Sequence, residues 1–125
     1  SICSCTKTEG KQMIESYSFG SMTITGQSHR NDLKIIENKI VGNWWRREGH
    51  ALYAQDIDDI LYASVETLVV GTGAYGGMKV TEEAAQAIEG QGISLVAVPT
   101  KEAVSIFNSL HAQGKRVAGA FHLTC

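Results

Sequence analysis

The feature that most constrains the fold is the apolar run at residues 65–77, which breaks into a cluster of glycines. Leu68, Val69 and Val70 are consecutive and apolar, and two of them are β-branched, as suits a strand buried on both faces of a parallel sheet. Gly71, Gly73, Gly76 and Gly77 follow. They permit backbone angles and close approaches that a side chain would forbid, so the loop can present bare N–H groups to a ligand or to packed neighbours. At the carboxyl end of a central strand, such a loop lies where an open α/β sheet usually keeps its binding crevice.

The remaining elements fall around this strand. Thr81 is placed to cap a helix over Ala84, Ala85, Ala87 and Ile88 that ends at Gly90. Residues 93–98 form a second buried-looking strand, stopped by Pro99, with Thr100 as the cap of a helix that carries Ala103, Val104, Ile106, Phe107 and Leu110 inward. Residues 117–121 close the chain as a strand too continuously apolar for an edge. This β-α-β-α-β string favours parallel strands with right-handed crossovers, covered on one side by helices. Upstream, Met22 and Ile24 alternate with polar residues, and residues 32–37 and 39–41 are β-rich pieces separated by Asn38. These three short strands predict an N-terminal β-meander. Residues 42–50 read as a loop or edge segment. Residues 56–63 read as a short helix capped by Asp56.

With 125 residues the chain has room for one core. Met13 has the character of a natural start, so residues 1–12 read as an N-terminal extension and residues 13–125 as a single domain. Eleven basic and thirteen acidic residues are scattered along the chain, which argues against nucleic acid as a partner. The apolar runs are far shorter than the roughly 20 residues a membrane span needs. Residues 1–10 lack the blocks of a signal peptide. Cys3, Cys5 and Cys125, an odd count at the chain ends, suit a reducing compartment, so the expected location is cytoplasmic.

Candidate chemistry is sparse. Gly71, Gly73 and Gly76 satisfy a dinucleotide fingerprint in letters only, because four residues separate Gly76 from the Thr81 cap and no acid follows the second strand. No cofactor is expected. Arg46, Arg47 and His50 suit a carboxylate or phosphate, or else form a solvated turn. Trp44 and Trp45 would face opposite sides if extended, one in the core and one at a partner surface. Asp56, Asp58 and Asp59 fan apart on a helix, His122 and Cys125 project to opposite faces of a strand, and Cys3 with Cys5 lacks further paired ligands. No metal site is expected.

Several landmarks coincide: Gly20 after Phe19, residues 46–50, the 70–76 run, Pro99 with Thr100 through Ala103, and the ending His122-Leu-Thr-Cys125. Together they resemble the Mth-type domain family. That group of small proteins includes an adipogenesis-associated Mth domain-containing protein and, more distantly, a mitochondrial assembly factor of respiratory complex I. The resemblance spans about residues 13–125. It implies a three-layer α/β domain with a mixed central sheet and no established reaction. It maps Gly71, Thr72, Gly73, Tyr75 and Gly76 onto the family's glycine loop, Pro99 and Thr100 onto its strand-to-helix turn, and His50 onto its loop histidine.

Two functional readings follow. The first is a binding or assembly module working through Trp44, Trp45, Arg46 and Arg47 on a protein partner, with a homodimer among the possibilities. The alternative is a small-molecule enzyme or anionic-ligand binder using the 71–77 loop, with Gly71, Thr72, Gly73, Tyr75, Gly76, Thr100 and His50 as site residues.

Overall fold

The handedness of two crossovers builds this molecule. In the computed structural model, which describes residues 13–46 and 50–124, strand β7 (Thr67–Thr72) is followed by helix α2 (Glu82–Gly90), strand β9 (Ser94–Val98), helix α3 (Thr100–Ala112) and strand β10 (Val117–His122). Strand β9 pairs parallel to β7 on one side, and β10 pairs parallel to β7 on the other. The chain thus moves outward to β9 and then back across β7. Two right-handed crossovers in opposite directions must put their helices on opposite faces. Leu68 and Val70 accordingly pack with Ala84 and Ile88 of α2, while Val69 packs with Ala103 and Phe107 of α3. The single helical cover expected from the sequence is therefore corrected to one helix on each face.

The antiparallel hairpin β4 (Leu33–Ile36) and β5 (Lys39–Val41) completes a mixed five-stranded sheet in the order β5-β4-β10-β7-β9. Glu37 and Asn38, at φ 51° and 68°, make its turn, where Asn tolerates the left-handed conformation. A separate antiparallel sheet, β1 (Ile14–Ser18), β2 (Ser21–Ile24) and β3 (Gln27–His29), lies over the α3 face, with Ile14, Met22 and Ile24 packed into the same core as Phe107. Buried Asn108 pins it, accepting from the Ile14 N–H at 3.1 Å and donating to the Ile14 carbonyl at 2.9 Å. The strands expected to form one meander thus divide between two sheets, because β4 meets the apolar centre of the main sheet while β2 finds its partners in β1 and β3.

On the other face, a 3₁₀ turn (Ala54–Ile57) leads into helix α1 (Asp58–Leu61), and short strands β6 (Ala51–Leu52) and β8 (Lys79–Val80) pair in parallel. The expected cap at Asp56 is replaced by an earlier start: Asp56 lies inside the 3₁₀ turn, and its carboxylate accepts from the Tyr53 N–H at 2.8 Å. Strand β9 is an edge strand, half-buried with Ser94 and Ala97 exposed, whereas the sequence reads it as interior. Strand β10, buried throughout and apolar from Val117 to Phe121, lies at the centre as expected. Among the described residues no helix is long and apolar enough to cross a membrane.

Candidate functional site

Alternation along two neighbouring strands creates a buried polar cluster at the carboxyl edge of the sheet. In β4, Leu33 and Ile35 face α3, so Lys34 and the preceding Asp32 face the other way; in β10, Ala118, Ala120 and His122 share that opposite face. The antiparallel register pairs Phe121 with Leu33, which brings His122 beside Asp32. Asp32 Oδ2 lies 2.8 Å from His122 Nδ1 and 2.8 Å from Arg46 Nη2, and Oδ1 accepts the Leu123 N–H at 2.8 Å. The side chains of Arg46, His122 and Asp32 are 4%, 7% and 16% exposed, so the cluster is largely shielded from water.

Burial alone would raise the Asp32 carboxyl, but hydrogen bonds from His122, the Leu123 N–H and Arg46, with the charge of His122, hold it below its ordinary value of 3.8. An ionised carboxylate only accepts, so His122 Nδ1 carries a proton and donates it to Asp32. The 3.1 Å approach of Arg46 Nη2 to Nδ1 is then a meeting of two donors on one oxygen. The other ring nitrogen, Nε2, is buried and has no hydrogen-bond partner among the described residues; the ring meets His50 edge-on, with centroids 5.8 Å apart. Burial also pushes the nearby Tyr17 hydroxyl up; it donates to the Leu123 carbonyl at 2.9 Å.

The paired indoles separate as their spacing predicts. Trp44 is buried, its Nε1–H donating to the Asp56 carbonyl at 2.9 Å and its ring covered by Arg46 at 4.7 Å. Trp45 is 85% exposed. It borders a cavity of about 350 Å³ whose other walls include Asp32, Asn43, Arg46 and Thr124. Phe19 and Tyr75, both exposed, have ring centroids 6.2 Å apart beside the same tail: the Gly20 N–H donates to the Leu123 carbonyl and the Ala74 N–H to that of Thr124. Arg47 and the three cysteines lie outside the described residues.

The 71–77 loop and the start of α3 do meet, joined by hydrogen bonds between Thr100 and Gly73. The Thr100 hydroxyl accepts the Gly73 N–H at 2.8 Å and donates to the His122 carbonyl at 2.6 Å; the Thr100 N–H donates to the Gly73 carbonyl at 3.0 Å. Pro99, and not Thr100 as expected, is the cap residue of α3, because the Thr100 side chain turns to Gly73 and His122. Ala74, Gly76 and Met78 N–H groups also find carbonyls of the protein. A Cβ at Gly71 would sit 2.9 Å from the Thr100 hydroxyl and 3.0 Å from the Phe121 ring, so this glycine serves close packing. Gly73 and Gly76 sit at φ 106° and 71°. Thr72 is the register partner of His122, and Tyr75 points outward.

His50 and Thr72 of the expected ligand set thus gather around His122, while Thr100 bonds its backbone. The sequence flags His122 only as a neighbour of Cys125 and passes over Asp32, which lies 90 positions away. Of the three aspartates weighed for metal, Asp59 holds the buried Lys34 ammonium with both oxygens at 2.7 and 2.8 Å, and Asp56 is turned to Tyr53. No group of three His, Cys, Asp or Glu ligands converges among the described residues.

A mixed five-stranded sheet with helices on both faces gives this chain the fold of a small Mth938-like α/β domain. The chain belongs to the family described as protein of unknown function (DUF498/DUF598), which matches residues 14–122. A conserved hypothetical protein from Pyrococcus horikoshii is similar at 28% identity, over 90% of this chain and 98% of that one, with a TM-score of 0.76. A protein of Bartonella henselae described as an outer membrane protein is similar at 27% identity over 92% and 97% of the two chains, with a TM-score of 0.78. A Mth938-like domain from Bordetella pertussis shares the fold at 17% identity, over 90% of this chain and 85% of that one, with a TM-score of 0.74.

Proposed function

We propose that the protein is a binding module whose partner surface is the carboxyl edge of the sheet, centred on Trp45. One observation carries this reading: an indole exposed to 85% stands next to a buried Trp44 that is clamped between a backbone carbonyl and a guanidinium. Tryptophan and tyrosine are enriched among the anchors of protein interfaces. The exposed Phe19 and Tyr75 extend the apolar surface around the same tail. Removing an anchor of this kind weakens binding by about 2–4 kcal/mol, or roughly 30- to 1000-fold. In cells making the protein, quantitative cross-linking mass spectrometry is therefore expected to lose specific partners with Trp45→Ser and to keep them with Tyr62→Ser, an equally exposed aromatic elsewhere. Identical partner sets for the two variants would reject the reading.

A small anionic ligand at the same edge is the second reading, favoured by the unpaired, buried Nε2 of His122 beside His50. It draws little on the 71–77 loop, whose N–H groups at Gly73, Ala74 and Gly76 are engaged. Titration with phosphate or citrate tests it through ring resonances of His122 and His50. Saturable shifts at both, abolished by Asp32→Asn in a folded protein, support a site; shifts confined to surface lysines remove it.

A further inference from the structure

We propose that the outer edge of β9 pairs with the same edge of a second copy, antiparallel, about a two-fold axis at Val96, to make a continuous ten-stranded sheet. The Ser94 N–H donates inward to the Glu66 carbonyl at 2.9 Å. Strand alternation therefore turns the backbone N–H and C=O groups of Ser94, Val96 and Val98 toward β7 and those of Leu95 and Ala97 outward. Nothing among the described residues covers them: β9 ends the sheet, Ala97 is exposed, and Leu95, Val96 and Val98 are only half-buried.

Edge strands of natural proteins usually carry a lysine, a bulge or a proline that discourages pairing. The opposite edge, β5, is three residues long and bears Lys39. Strand β9 has none of these devices, and residues 90–100 contain no charged side chain at all. That blank stretch suits a symmetric pairing, since residues at a two-fold axis meet their own copies and a charge there would meet its like. With Val96 opposite Val96, Leu95 faces Ala97 of the second copy and Ala97 faces Leu95, each pair exchanging two hydrogen bonds. Pro99, which has no N–H, ends the ladder.

The interface is small, so association belongs in the range of about 10 µM to 1 mM. Sedimentation velocity across that range should show the mass rise from 13.5 kDa toward twice that value. Amide exchange at Leu95 and Ala97 should slow as concentration rises, while that at Ser94 and Val96 stays constant. Ala97→Lys, at an exposed position, should abolish both effects at an unchanged melting temperature, and Val41→Lys on the opposite edge should leave them intact. The proposal is overturned by a monomer at every concentration, by exchange at Leu95 and Ala97 that ignores concentration, or by a dimer that Val41→Lys breaks and Ala97→Lys spares. Should Ala97→Lys misfold, the exchange measurement on the unaltered protein decides alone.

Discussion

Asp32 shows how much one residue outside every recognisable motif can organise. It accepts from a guanidinium, an imidazole N–H and a backbone N–H at once. Removing one partner from a buried ion pair costs about 3–5 kcal/mol. Asp32→Asn should therefore lower the unfolding free energy by about that much at pH 7 in urea titrations. The pH dependence has a definite sign. The folded carboxyl titrates below its ordinary value of 3.8, so its contribution is complete above that pH and is lost as pH falls through the lower folded value. The stability gap between the parent and Asp32→Asn should accordingly narrow below about pH 4. A gap of constant size from pH 7 down to acid unfolding would show that the carboxylate charge contributes nothing.

Among the elements, the junction of β7, α3 and β10 depends on one hydroxyl. Thr100 is fully buried, and its oxygen joins the Gly73 N–H to the His122 carbonyl. Thr100→Val keeps the shape and leaves both groups without that partner, at about 1–3 kcal/mol for each buried group. A fall in melting temperature is expected, with faster amide exchange at Gly73 while β9 and α2 keep their protection. An unchanged exchange rate at Gly73 would mean that the loop is held by its backbone bonds alone. The element boundaries were largely legible: Thr81 caps α2 through the Ala84 N–H at 3.2 Å, as its position before two glutamates suggests. Thr100 misleads for a physical reason. A threonine after a proline satisfies the capping pattern equally well whether its hydroxyl serves its own helix or two distant strands, and only the packing of those strands decides.

For the whole molecule, the two faces of β7 belong to two separate cores, so a charge placed in that strand finds water on neither side. Val69 is fully buried in the core beneath α3. An unpaired carboxylate there costs several kcal/mol, comparable with the roughly 5–15 kcal/mol that holds a domain together, so Val69→Asp should abolish cooperative unfolding by calorimetry. A variant with the parent's melting temperature would contradict the assignment of β7 to the buried sheet.

Apolar runs and turn residues determined the β-α-β-α-β half of this protein, because hydrophobic periodicity and capping are local and can be read within about ten residues. They also sent one of two adjacent tryptophans inward and the other outward. Which faces the helices cover was decided by strand order, since the outward step to β9 and the return across β7 are invisible until the strands are paired. The same holds for the polar cluster. Nothing near Asp32 in the chain distinguishes it from any acid before a strand, and nothing near His122 names its partner; the antiparallel register of β4 on β10 makes them neighbours. Register depends on the packing of whole strands against both cores, so the site became visible only in the tertiary structure.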